Sequence, residues 1–486
     1  MTQTRSLLIG GEEVAAADGR TTEDLNPHTG GVVARVAAAA PADVGRAVDA
    51  ADAAFAGWSS TAPTERRRIL NRAADLLEER ATEAAALMSA ETGGTFGWGM
   101  FNVGFAASVF REAGALTTLP VGEVLAGADP SAMSLAIRQP AGVVAAFAPW
   151  NAPLILGVRA VATPLAVGNT VVLKASEEAP LTCALFVADL LREAGLPPGA
   201  LNVLTNDRAD AAAVAEALIG DRRVRRVNFT GSTGVGRRIG EIAARHLTPA
   251  VLELGGKNSV LVLDDADLEY AVNAVAFSAY MNSGQICMSA DRAIVHHSLA
   301  EEFSARLAEK AKGLAGGDPT DPNTVIGPLI SAGAAERVAG LVDQAVAGGA
   351  RVLSGGGTPD GAHYPATVLA GVTPEMRIHT EEIFGPVATV LSVADEEQAI
   401  AVANDSPYGL TTGVLTQDLN RGFAVARRLR TGIAHVNDQS VGDDPTAPFG
   451  GVGDSGYGRF GGRAGVEAFT DLRWITLQQR PKHFPF

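Results

Sequence analysis

Cysteine is almost missing from this chain: two residues, Cys183 and Cys287, in 486. Two thiols 104 positions apart form no disulfide framework and no metal-like spacing, so a reducing compartment is the natural setting. Histidine is scarce as well, with eight residues, of which only His296 and His297 adjoin. In a strand those two would face opposite sides. No HExxH or repeated Cys/His pair occurs, so no metal site is expected. Long apolar runs are lacking: nothing approaches the roughly 20 residues of a membrane span. The N-terminal MTQTRSLLIGGEE has no signal-peptide apolar core, and a cytoplasmic location without a membrane partner is expected. Positive charge is also short, 39 Lys and Arg against 54 Asp and Glu for a net charge of -15, which argues against nucleic acid as a partner. The clusters Arg66-Arg67-Arg68 and Arg222-Arg223 with Arg225-Arg226, beside Glu65 and Asp221, read as solvated surface.

What is present describes a globular protein: 47% hydrophobic residues, 19% charged, and 55 glycines. The length suits two or three domains. Through the middle, β-branched runs GVVAAF (142–147), NTVVLK (169–174), ALNVLT (200–205) and VRRVNF (224–229) alternate with helical stretches at 181–195 and 209–220. That alternation predicts βαβ units and a parallel sheet. A second αβ series follows Leu254, with strands at 259–263, 386–393, 413–416 and 432–437 and a helix at 267–284. Long helices (41–57, 64–91, 95–118) are expected ahead of both. The isolated strands SAMSLAIRQP (131–140) and DLRWITLQ (471–478) are expected to pair with each other and with a neighbouring subunit, because lone edges invite pairing.

Five stretches carry residues suited to chemistry. NFTGSTGVGRRIG (228–240) runs from a strand through Gly231, Ser232, Gly234 and Gly236 into a helix, whose free N–H groups suit a phosphate. Its G-x-x-G-x-G spacing is not the dinucleotide fingerprint, and by itself it reads equally as a packing turn. VLKASEEAP (172–180) sets Lys174 and Glu177 at a strand's C-terminal end, where open α/β sheets bind ligands; the plain alternative is a surface ion pair. LELGGKNS (252–259) places Glu253 beside apolar residues, where desolvation suits a general base, though a satisfied structural glutamate fits too. APWNAP (148–153) offers the Asn151 amide as an oxyanion donor or merely a turn residue. In SGQICMSADR (283–292), Cys287 read alone is a small buried hydrophobe.

In order, however, APWN, KASE, FTGSTGVG, ELGGK, GQIC 34 residues beyond Glu253, EEIFGP (381–386) and PFGGVGDSGYGR (448–459) resemble the aldehyde dehydrogenase superfamily over essentially the whole chain. The resemblance implies an α/β fold of two parallel-sheet domains with a small β oligomerisation arm. Its parts would be a cofactor-binding domain (1–122, largely helical, and an αβ core at 142–254), a catalytic domain (255–455) and an arm in two pieces (123–141 and 456–486). It implies Cys287 as the nucleophile, Asn151 and the Cys287 N–H as oxyanion holders, and Glu253 as the base that hydrolyses the thioester. Trp150, Lys174 and Glu177 would line the adenosine end of the cofactor, Gly231 and Ser232 the pyrophosphate, and Glu382 and Phe384 the nicotinamide ribose. Glu177 favours NAD over NADP, because a carboxylate repels a 2′-phosphate. A homodimer or homotetramer is implied.

Residues 138–177, 435–451 and 456–462 look most like the aromatic-aldehyde members, which take salicylaldehyde, vanillin or benzaldehyde. Trp98, Phe101, Tyr280 and Met288 would then wall an aromatic pocket, with Arg159 steering a phenolic or acidic ring substituent. Against the pattern, Gly453 and Asp454 stand where relatives commonly carry a lysine, and Asn258 replaces a small residue after Lys257. Two other readings remain: an aliphatic or semialdehyde dehydrogenase, for which Arg159 would hold the carboxylate, and a catalytically silent binding protein on the same fold. The intact Cys287, Glu253, Asn151 and Glu382 set speaks against the second.

Overall fold

A computed structural model describes residues 3–127 and 129–486; Met1, Thr2 and Ala128, which fall within the expected first domain and arm, lie outside the described residues. The β-branched runs of the middle segment form the heart of an eight-stranded sheet. Its order is Gly456–Tyr457, Ala250–Glu253, Val224–Thr230, Val143–Phe147, Thr170–Lys174, Leu201–Leu204, Leu7–Ile9, Glu12–Val14. The five from Ala250–Glu253 to Leu201–Leu204 are parallel. Val143–Phe147 and Thr170–Lys174 are buried throughout, which is why they read as continuous apolar runs. From Val143–Phe147 the chain builds outward to Leu201–Leu204, then returns to add Val224–Thr230 and Ala250–Glu253 on the opposite side. That reversal creates a crevice at the strands' carboxyl ends.

The second αβ series forms a seven-stranded sheet, ordered Arg351–Ser354, Thr367–Ala370, Val387–Val393, Ala290–His296, Asn258–Val262, Thr411–Leu415, Ile433–Val436. All its neighbours are parallel except the first pair. Each of the two large sheets carries its own apolar clusters. Strand Ala132–Pro140 pairs antiparallel with Thr470–Gln478 along nine residues, and Gly122–Leu125 adds a third strand. Among the described residues no helix is long and apolar enough to cross a membrane.

Several local expectations give way. The N-terminal segment opens with five short strands rather than with helices alone. They are three to six residues long, too short for a periodic signal, and Gly10 (φ 64°) and Gly11 (φ 87°) turn Leu7–Ile9 back on Glu12–Val14 as only an easy left-handed pair can. The helix expected over 64–91 breaks into Pro63–Glu79 and Ala81–Thr92 at Arg80, which no Gly or Pro announces; its guanidinium lies 4.6 Å over the Phe186 ring. His296 ends a strand and His297 starts a helix, so their rings sit 4.4 Å apart instead of on opposite faces. Two arginines of the basic clusters are not solvated surface. Arg66 is buried and donates to the Ala166 and Thr61 carbonyls, while Arg226 ties the start of the Thr470–Gln478 strand to the sheet through the Ala468 carbonyl and Asp471.

Candidate active site

The carboxyl ends of the parallel strands converge on a cavity of about 280 Å³ between the two large sheets. Its walls include Trp150, Asn151, Gly231, Ser232, Glu253, Cys287, Glu382 and Phe384, together with Thr230, Leu254, Gly255 and Arg337. Two larger grooves, about 970 and 930 Å³, lie on the second αβ block and its border and hold none of these residues.

Glu253 ends the strand Ala250–Glu253, and its carbonyl accepts the Gly231 N–H at 3.0 Å, coupling the glycine-rich turn to the acid. Both carboxylate oxygens are buried without a hydrogen-bond partner. Burial holds the pKa well above the usual carboxylate range; Arg159 and Arg459 draw it back, and Asp443 adds to the rise. Close beside it runs Gly450, where a Cβ would stand 2.5 Å from Glu253 Oε1.

The chain reaches Cys287 through Asn282 (φ 49°), Ser283 (φ 55°) and Gly284 (φ 72°), three consecutive left-handed residues of which two have side chains. Such backbone persists only where surroundings enforce it. Asn151 supplies part of that enforcement. Its Nδ2 donates to the Gln285 carbonyl at 2.9 Å, while its own carbonyl accepts from Asn282 Nδ2 (2.9 Å) and Trp98 Nε1 (3.2 Å). An asparagine amide has two N–H donors, so one remains for an oxyanion. Asn258 Nδ2 holds the Cys287 carbonyl at 2.7 Å, so this side chain supports the loop that carries the thiol. The Cys287 thiol is pushed up to about 12, first by burial, then by Glu253 and Glu382, against the pull of Arg159.

Glu382 accepts the Gly256 N–H at 3.0 Å, and burial lifts its pKa to about 7. A Cβ on Gly255 would fall 2.3 Å from Glu382 Oε2, so glycine there makes room for the carboxylate. Beneath, the buried Lys257–Asp291 pair (2.9 Å) pins this loop through the Glu381 carbonyl and the Ile383 N–H. Phe384 adopts φ 49° and meets Trp150 edge-on at 5.6 Å. Lys174 and Glu177 lie outside the cavity at the end of Thr170–Lys174, paired with each other. Burial alone would raise the Glu177 pKa, but Lys174 and Asn206 outweigh it and the value is lowered.

The expected aromatic wall divides. Trp98 is buried against Asn151 and stacks on Phe101 at 5.3 Å, whereas Phe101 itself is 49% exposed. Met288 is buried beside Cys287, with its carbonyl held by Ser440 Oγ at 2.7 Å. Arg159 is buried, bonded to Asp443 at 2.5 Å and poised 4.6 Å over the Phe449 ring. Tyr280 is not a pocket residue: it packs in the core of the second sheet and donates its hydroxyl to the Thr367 carbonyl. Asp454, standing where a lysine is common, pairs with Arg237 at 2.5 Å.

Sequence reading passed over Arg337, Asn206, Gly450 and Asp443. Arg337 donates to the Ile383 carbonyl at 2.5 Å from a helix without any motif. Gly450 lies in the loop PFGGVGDSGYGR, but only the pairing of Gly456–Tyr457 with Leu252 and Glu253 reveals its neighbour.

The residues fit a nicotinamide dinucleotide. The helix Thr233–Arg245 presents its N-terminus from Ser232, suited to a pyrophosphate. A Cβ on Gly231 would strike the Phe229 ring at 2.6 Å, keeping that turn open, and the carboxylates of Glu177 and Glu382 offer acceptors for ribose hydroxyls.

A profile of the Aldehyde dehydrogenase family matches residues 14–475. The vanillin dehydrogenase of Pseudomonas sp. (strain HR199 / DSM 7063) is 53% identical over 479 residues, 99% of either chain. A benzaldehyde dehydrogenase [NAD(+)] of Pseudomonas putida is 41% identical over 97% of this chain and 96% of its own. The crystal structure of a salicylaldehyde dehydrogenase from Pseudomonas putida G7 complexed with salicylaldehyde superposes with a TM-score of 0.97 at 41% identity, covering all of both chains.

Proposed function

Given that the chain belongs to the aldehyde dehydrogenase family, we propose that it oxidises an aromatic aldehyde of the vanillin, salicylaldehyde or benzaldehyde type to the carboxylic acid, with NAD as oxidant. The observation carrying this reading is the meeting of Cys287, Asn151 and Glu253 at one cavity beside a phosphate-ready helix end. Cys287 loses its thiol proton to solvent, and Sγ attacks the aldehyde carbon as the C=O pair moves onto oxygen, giving a thiohemiacetal. The free N–H of the Asn151 amide and the Cys287 backbone N–H receive the oxyanion. A bound oxidised nicotinamide, its ribose held by Glu382 and its ring beside Phe384, would supply the acceptor for the hydride that leaves the thiohemiacetal carbon. Cys287 then carries a thioester, and Glu253 removes a proton from the water that hydrolyses it. An acid buried without partners, its proton affinity raised well above the usual carboxylate range, suits that task.

The relatives' aromatic substrates support the ring specificity. So does the Arg159–Asp443 pair, since Asp443 already engages the guanidinium a semialdehyde carboxylate would need. Trp98 and Met288 serve as pocket walls, and Phe101 flanks the approach. Glu177 reads the adenosine ribose and favours NAD. We place cofactor binding on the eight-stranded sheet, catalysis on the seven-stranded one, and a homodimer or homotetramer contact on the arm. Exposed Val124, Leu472 and Trp474 in the arm need such cover. With these go a cytoplasmic setting and no metal.

The test is a panel of salicylaldehyde, vanillin, benzaldehyde, hexanal and succinic semialdehyde, read as NADH absorbance. Aromatic substrates are expected to lead in kcat/KM; an aliphatic lead above tenfold, about 1.4 kcal/mol of transition-state binding, overturns the ring specificity. Turnover in Cys287→Ala would overturn the nucleophile.

A further inference from the structure

The loop after the strand Leu201–Leu204 carries a side chain that no motif marks. Asn206 is 2% exposed, and its Nδ2 donates to Glu177 Oε1 at 2.9 Å and to the Asp207 carbonyl at 2.8 Å. The parallel register sets Leu204 opposite Lys174, so Asn206 reaches Glu177 from one strand and Lys174 from the next. Lys174 Nζ also bonds Glu177 Oε1 and, at 2.9 Å, the Ala175 carbonyl. Two donors from two strands therefore share one carboxylate oxygen.

We propose that Asn206 is a positioning residue for dinucleotide choice: with Lys174 it fixes the Glu177 carboxylate where a ribose hydroxyl is read, so that the 2′-phosphate of NADP meets a charge that cannot turn away. The inference rests on the reading of Glu177 as the ribose acceptor. The geometry favours a clamp over a casual contact. Both N–H groups of the amide are used, and its Oδ1 is buried without a partner. Turning the amide to satisfy that oxygen would aim it at the Glu177 carboxylate and the Asp207 carbonyl, so the orientation is locked by repulsion. Lysine alone would hold the charge less firmly, because an ammonium on a flexible stem follows its partner through several rotamers. Discrimination against a phosphate requires both a negative charge and a fixed one.

The test measures equilibrium binding of NAD and of NADP to the full-length protein by titration calorimetry, for wild type, Asn206→Ala, Asn206→Ser and Glu177→Gln. In Asn206→Ala the Kd ratio of NADP to NAD is expected to fall about tenfold, mainly through tighter NADP, with Asn206→Ser between it and wild type. Serine keeps a polar side chain at the site should alanine impair folding. A ratio within twofold of wild type in both Asn206 variants, while Glu177→Gln collapses it, overturns the clamp and spares the ribose reading. Equal weakening of both dinucleotides also overturns it, marking a structural role. An unchanged ratio in Glu177→Gln overturns the ribose reading itself, and the clamp with it.

Discussion

Gly450→Ala puts a methyl group where the structure leaves no room. The new Cβ would lie 2.5 Å from Glu253 Oε1, 2.7 Å from the Gly458 carbonyl and 2.8 Å from Arg459 Cδ, whereas ordinary contact begins near 3.4 Å. The Gly458 carbonyl is backbone and forces a shift of the loop as well, but the acid's side chain is the part best able to yield. It must retreat by roughly 0.9 Å, and misplacement of about 1 Å at a reacting group costs on the order of 10²-fold in rate. On the proposed mechanism, in which Glu253 acts at hydrolysis, the loss should fall on hydrolysis of the thioester and spare its formation, since Cys287 and Asn151 are untouched. Stopped-flow absorbance at 340 nm should therefore show a burst approaching one NADH per subunit, then a steady rate reduced by about 10²-fold. A variant that keeps its thermal midpoint and turns over at the wild-type steady rate, without a burst, would refute the placement of the working acid beside Gly450.

Three further outcomes follow from the same geometry. Asn151→Ala removes the remaining amide donor and the bond to the Gln285 carbonyl, and kcat should fall by about 10²- to 10³-fold in steady-state assays, with little change in NAD affinity by calorimetry. Because burial raises the Cys287 thiol to about 12, the thiolate appears only as pH rises, and alkylation of Cys287 by iodoacetamide should climb through the alkaline range. Glu253→Gln deletes a carboxylate that raises the thiol, so that profile should move to lower pH, and a move upward would contradict the assigned cause. Tyr280→Phe removes the hydroxyl's bond to the Thr367 carbonyl in the core at a cost of about 1 kcal/mol; the thermal midpoint should drop by about 1 °C while KM for the aldehyde stays constant.

The parallel core was legible because strands buried on both faces read as unbroken apolar runs, Val143–Phe147 and Thr170–Lys174 above all. The N-terminal strands were not, since three residues such as Leu7–Ile9 carry no period and are stabilised by a partner, Val203, almost 200 positions away. The same distinction runs through the site. Asn151, Gly231, Ser232, Glu253 and Cys287 stand at strand ends or in turns beside motifs, where local sequence reports local geometry. Asn206, Arg337 and Gly450 matter through contacts with Glu177, Ile383 and Glu253, formed only when distant segments meet. Tyr280 was misplaced for a related reason: helical spacing marks a buried face without saying which neighbour buries it.

The hydrogen bonds around Asn151 have a mechanical consequence. Its amide and its carbonyl both end on the loop that carries Cys287, so the eight-stranded and seven-stranded sheets are riveted together at the cavity itself. A clamshell opening of the two halves would shear those rivets and separate Asn151 from the Cys287 loop. Ligand entry along the crevice leaves these bonds in place, whereas entry by parting the two halves breaks them.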